Sequence, residues 1–168
     1  MIQQNTTLPP QTNGIAKTST TPTLENISEI LSHDDKVKVA GIDCDGQLRG
    51  KIMSKDKFLS SVEKGFGMSS AIFGWDMHDE LYTNETRISS SQEGYADFIA
   101  IPDLSSYRRL PWEDDLPFFL LHFVARGEPV CADGRNMLRN LTKGLEEKGW
   151  KCLAGGMQST YSTVRDIG

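Results

Sequence analysis

Apolar and polar positions alternate most clearly in "KVKVAGIDCDGQLRGKIMS", residues 36–54, where Val37 and Val39 are separated by lysines. A period of two puts both valines on one face of a strand. Asp45-Gly46 supplies turn residues and 48–53 returns, so the segment predicts a β-hairpin. Just upstream, "TLENISEILSHDD" spaces Leu24, Ile27, Ile30 and Leu31 at helical intervals behind Thr23, a candidate N-cap. A short amphipathic helix is expected over 23–35.

After the hairpin, "KDKFLSSVEKGF" predicts a helix with Phe58, Leu59 and Val62 on one face and Gly65 ending it. The apolar run Ala71-Ile72-Phe73 predicts a strand that breaks at Gly74. It releases Trp75, Asp76, Met77, His78 and Asp79 in quick succession. "NETRISSSQEGYAD" reads as a polar loop, and "FIAIPD" as a short buried strand stopped by Pro102. "LPFFLLHFVARGEPV" suits a central strand. In "GRNMLRNLTKGLEEKGW", Met137, Leu138, Leu141 and Leu145 form a stripe expected to face the core, with Gly149 closing the helix. "KCLAG" is expected to begin one more strand.

Hairpin, helix, further strands and a packed helix add up to the α+β class, with a mixed sheet grasping a helix. Residues 1–22 carry hardly any apolar side chain and are read as a disordered tail, because they cannot offset their ordering entropy.

Composition narrows the function. A net charge of −5, with no clustered Lys/Arg surface beyond Arg108-Arg109, argues against nucleic acid as a partner. No run approaches the ~20 apolar residues of a membrane span, so no membrane partner is expected. The first residues lack a basic, apolar secretory pattern, and a cytoplasmic location is the expectation. Cys44, Cys131 and Cys152 show no metal-type spacing and are read as free core thiols.

Several groups could carry chemistry. Asp43-Cys44-Asp45 could hold a hard cation, but no further oxygen ligands lie nearby in sequence, and a plain turn accounts for them. Asp133-Gly134-Arg135 could seat an anion at a helix start or simply cap it. Asp114-Asp115 reads as a solvated loop and His122 as a satisfied core or edge histidine. Asp76, His78 and Asp79 could do acid–base work beyond a strand end, or form an ordinary hydrogen-bonded loop.

Four segments, in order, resemble the N-terminal domain of the glutamine synthetase family, and most of all its fungal glutamine synthetase-like branch. They are "IDCDGQLRGKIMS", "FGWDMHD", "YADFIAIPDLSSYRRLPW" and "GEPVCADGRNMLRNLTKGLEEKGW", and the resemblance covers about residues 36 to 155. The family has Asp-Pro-Arg where this chain has Asp133-Gly134-Arg135, a departure that leaves the capping role intact. The resemblance implies a β-grasp-like sheet and a ring-shaped homo-oligomer, or assembly with full-length paralogue subunits. It implies that the loop like "FGWDMHD" reaches a neighbouring subunit's active site. There an aspartate binds ammonium and takes its proton; Asp76 matches it, with Asp79 as runner-up and Trp75 packed beside the substrate.

The resemblance also implies ATP and Mg²⁺ or Mn²⁺ for the full-length enzyme, but none of them bound by this stretch. The family's Glu-x-Glu motif should follow "CLAG", yet no glutamate occurs after Glu147. Residues 156–168 therefore read as an aberrant tail where a catalytic domain should begin, as after a frameshift, a misjudged exon boundary or an early stop. The expected function is that of a glutamate–ammonia ligase segment, inactive alone. A free-standing interaction module docking on full-length subunits is the alternative. A small hydrolase built on Asp76 and Asp79 has only their proximity to recommend it.

Overall fold

The computed structural model describes residues 21–84 and 86–154. The readings of the first twenty residues and of 156–168 lie outside the described residues. A single helical turn, α1 (Ile27–Ile30), leads into β1 (Lys36–Ile42) and β2 (Leu48–Ser54). Then come α2 (Lys55–Ser61), β3 (Phe66–Ser69), β4 (Asp97–Leu110), β5 (Leu116–Ala125), β6 (Glu128–Pro129) and α3 (Gly134–Glu146). The strands form a mixed sheet in the order β2-β1-β5-β4-β3, with β6 continuing beside β5. Only β1 and β5 run parallel; the other pairs are antiparallel. The α+β class with a mixed sheet, expected from the order of elements, is what the chain adopts.

The central strand β5 is apolar on both sides, as a strand buried on both faces must be. Phe119, Leu121 and Phe123 enter the main core with Val37 and Val39 from β1, while Phe118 and Leu120 join Ala40 and Leu110 on the opposite face. α2 closes the main core. Phe58 packs on Phe119 with ring centroids 4.6 Å apart, and Tyr107 stacks on Phe119 at 5.2 Å. The predicted helix face is the buried one, and Ser54 adds the cap by accepting from the Lys57 N–H. Gly41 is needed where β1 passes the ring of Phe123, since a Cβ there would lie 2.2 Å from it.

Several expectations differ from the structure. The helix over 23–35 shrinks to one turn, because only Ile27 and Leu31 find the core while Leu24 stays exposed. Thr23 does not cap it through its side chain; its N–H instead donates to Asn26 Oδ1 at 2.7 Å. The Ala71-Ile72-Phe73 strand is a 3-10 turn over Ser70–Phe73, started by the Ser69 hydroxyl accepting from the Ala71 N–H; the strand is the preceding β3.

Pro102 does not stop β4, which runs to Leu110. β3 begins opposite Ala100 and runs back toward Asp97, so past Ala100 β4 pairs with β5 alone, where a missing N–H is tolerable. Between Asp103 and Arg108 the strand bulges, and the Ser106 hydroxyl accepts from the Leu120 N–H at 2.8 Å to hold the gap together. Residues 151–154 are not in a strand.

The largest difference is in α3. The stripe of α3 is not in the core: Met137, Leu138, Leu141 and Leu145 are all exposed, and Asn136 is the helix's buried residue. The three free cysteines are likewise exposed rather than core thiols.

Candidate functional site

The 3-10 turn sends Ile72 and Phe73 into the core and thereby anchors the start of the next loop. Residues 74–82 then fold back on themselves. Tyr82 N–H donates to Gly74 O at 2.8 Å, Trp75 bridges Leu81, and Asp76 N–H donates to Glu80 O at 2.8 Å. At the tip, Asp76 Oδ1 accepts from the N–H groups of His78 (2.7 Å) and Glu80 (3.1 Å). Aspartate suits this position because its short side chain closes a turn over its own following residues. Those two donors, Glu80 first and His78 second, hold the Asp76 carboxyl below the usual carboxylate range. Among the described residues, Asp76 Oδ2 accepts no hydrogen bond.

The loop is fastened to the β1–β2 turn. Asp43 is buried and organises that turn, its Oδ1 accepting from Asp45 N–H (2.9 Å) and Gln47 N–H (2.8 Å). Arg49 on β2 bonds Asp43 Oδ2 through Nε and the Asp76 carbonyl through Nη2, both at 2.7 Å. Its Nη1 pairs with Asp79 Oδ1. The guanidinium also lies 5.5 Å from the centroid of the Trp75 ring, and Tyr82 OH donates to Asp45 Oδ2 at 3.1 Å. Asp79 takes a left-handed backbone, φ 65°, to make its pairing.

The structure thus brings Asp76, Asp79 and Trp75 together at one exposed rim but gives them unequal tasks. Asp79 is paired with a cation, whereas Asp76 keeps one oxygen unbonded. His78 contributes its backbone N–H to the tip. Sequence reasoning missed Arg49. The signal lay in "DCDGQLR", where the hairpin register sets Gly41 opposite Arg49 and so brings the arginine back beside Asp43. Asp43 and Asp45 serve the turn and its contacts, as the plain-turn reading had it.

The remaining candidates are structural. Asp133 caps α3, accepting from Arg135 N–H (3.0 Å) and Asn136 N–H (3.4 Å), and its other oxygen takes the Phe123 N–H at 2.9 Å. Asp114 and Asp115 form an exposed left-handed turn. His122 is not satisfied as expected: its buried Nδ1 lacks a hydrogen-bond partner, and burial followed by the Arg139 charge pushes its pKa down. Burial, then Asp43 and Asp45, push the Cys44 thiol up, which disfavours the nucleophilic thiolate. Among the described residues, no three potential ligands are grouped as a metal site.

No family model matches the chain. Among curated proteins, "Type-1 glutamine synthetase 2" of Dictyostelium discoideum is 45% identical over 118 residues, 70% of this chain and 22% of the relative. The chain belongs to the glutamine synthetase family. Two further relatives are more distant. "Glutamate--isopropylamine ligase" of Pseudomonas sp is 33% identical over 71% of the chain and 26% of its own length. "Gamma-glutamylethanolamide synthetase GlnA4" of Streptomyces coelicolor is 30% identical over 72% and 26%.

Solved structures show the same fold. A glutamine synthase homologue aligns with TM-score 0.57 at 20% identity over 67% of the chain and 27% of that structure. A ligand-free GmaS aligns with TM-score 0.56 at 18% identity over 73% and 26%. The chain therefore spans about a quarter of the length of the curated relatives that it matches. No helix among the described residues is long and apolar enough to cross a membrane.

Proposed function

We propose that this chain is the part of a glutamine synthetase-family ligase that presents residues 74–82 to an amine substrate. The observation that carries this reading is the loop tip, where Asp76 is held ionised by two backbone N–H groups and keeps Oδ2 unbonded. Such a carboxylate attracts a small cation in any protonation regime near neutrality. Bound ammonium would give up one proton to Asp76, and the resulting amine nitrogen would attack the carbonyl carbon of γ-glutamyl phosphate. A C–N bond forms and the C–O bond to phosphate breaks. Trp75, braced by Arg49, would limit water at the rim. The names of the relatives extend the candidate amines from ammonium to isopropylamine and ethanolamine.

ATP and a divalent cation would supply the activated acyl phosphate, from ligands outside the described residues. The order of sheet and helix supports the β-grasp reading, and the exposed position of the loop supports a rim completed by a neighbouring subunit. The chain alone is then inactive. Incubation with Mg²⁺, ATP, glutamate and each of the three amines should give no γ-glutamyl amide, and clear turnover would refute that statement.

A second reading has its own observation. Beyond the exposed stripe of α3, an apolar groove of about 680 Å³ opens over Phe118, Leu110, Ile52, Leu48 and Trp112. Patches of this kind mark interaction surfaces, and they support docking on full-length family subunits. Size-exclusion chromatography with and without such a subunit tests it; independent elution at micromolar concentration would count against docking.

A further inference from the structure

Three elements meet at the Arg49 guanidinium, and each of its nitrogens has a separate task. Nε holds the buried Asp43 of the hairpin turn, Nη2 holds the backbone carbonyl of Asp76, and Nη1 pairs with Asp79. The side chain is only 13% exposed, so its bonds to Asp43 and to the Asp76 carbonyl are sheltered from competing water, while the pairing with Asp79 lies at the surface. We propose that Arg49 is a positioning residue that makes Asp76, and not Asp79, the carboxylate offered to a small ammonium-type cation. This deepens the ligase reading above and rests on it.

The sorting follows from where each charge is spent. A cation approaching Asp79 meets a carboxylate already matched by a guanidinium, with like charge beside it. Asp76 has no cationic partner on its carboxylate, only the two N–H groups on Oδ1. By gripping the Asp76 carbonyl, Arg49 also fixes the backbone from which that carboxylate projects. The grip keeps the N–H groups of His78 and Glu80 turned inward. A lysine would not replace it, since one ammonium cannot address three acceptors in the planar fork geometry of a guanidinium.

The test uses the 168-residue chain with Trp112→Phe and Trp150→Phe, leaving Trp75 as its one tryptophan. Backbone amide exchange, carboxyl carbon NMR titration of Asp76 and Trp75 emission are followed in the parent, Arg49→Lys, Arg49→Ala and Asp79→Asn. Exchange at His78 and Glu80 should accelerate at least tenfold in both Arg49 variants. The Asp76 titration should move up toward the ordinary carboxylate range, and Trp75 emission should shift. Methylguanidinium, but not methylammonium, should reverse these changes in Arg49→Ala. If the arginine variants do not fold, Asp79→Asn decides, because Asp79 is exposed and its loss alone should speed exchange at the same two amides several-fold.

Unchanged exchange and an unchanged Asp76 titration in Arg49→Lys, or in Asp79→Asn where the arginine variants fail, would overturn the proposal. None of these readouts needs turnover. A loop ordered by Arg49 whose Asp76 proves dispensable for amide synthesis would sink the ligase reading and leave the positioning result standing.

Discussion

The loop over 74–82 and the helix α3 are held to the sheet by polar groups, yet they leave opposite surfaces behind. The loop packs Trp75 against the main core, and its hydrogen bonds run within itself, to Arg49 and to the hairpin turn, leaving Asp76 Oδ2 unbonded. α3 is fixed at its N-terminal end by Asp133 and Asn136, whose Nδ2 donates to Phe123 O at 3.1 Å, and by Arg135 pairing with Asp103. Its apolar side then faces outward. An apolar stripe states which side of a helix needs cover, but not which surface supplies it. A polar clamp does state its partner, because a donor and an acceptor must meet within about 3 Å.

The comparison breaks most severely at Asp133. Replacement by Ala should leave the Phe123 N–H and the first turn of α3 unsatisfied and destabilise the chain by about 3 kcal/mol. Urea denaturation measures this; a loss under about 1 kcal/mol would mean that α3 is held by something other than its cap.

A smaller effect is expected beneath α3. The His122 pKa is lowered in the fold, where Arg139, Arg135, Asp103 and Asp133 are the charges around it. The unfolded chain therefore binds a proton first as pH falls. The stability that His122 contributes is complete above its ordinary value of about 6.5 and is lost as pH drops through its lower folded value. Urea midpoints should decline between pH 7 and pH 5, and His122→Gln should flatten that part of the profile.

Removing one contact of the loop clamp should cost less. Asp79→Asn deletes an exposed ion pair, worth about 0.5–1 kcal/mol at most, while loosening the loop locally. The smallest effect belongs to the outward stripe. Leu138→Lys with Leu141→Glu should change stability by no more than about 0.5 kcal/mol, because both side chains are exposed already. A core position would lose several times that, so the pair of leucines separates the two readings of the stripe directly.

Much of the fold was legible from local pattern. The alternation of Val37 and Val39, the Asp45-Gly46 turn, the apolar face of α2 and the apolar run of β5 each name an element because burial enforces a period. The failures share a cause. Pro102 misled because whether a strand tolerates proline depends on how far its neighbour β3 pairs along it, which is tertiary information. The run at 71–73 misled because three apolar residues fit a 3-10 turn as well as a strand. The stripe of α3 misled because periodicity carries no address.

At the site, Asp76 and Trp75 stood out by composition and by family resemblance. Arg49 was invisible, since its three acceptors lie 6, 27 and 30 residues away along the chain.

The most direct test is complementation. The Dictyostelium relative would be prepared without the 118 residues that this chain matches, and γ-glutamyl amide formation measured after adding the chain or its Asp76→Asn form. The chain should restore turnover and Asp76→Asn should restore at most about a hundredth of it, in keeping with the loss of a group that accepts a proton in the reaction. Equal restoration by the two forms would contradict the account.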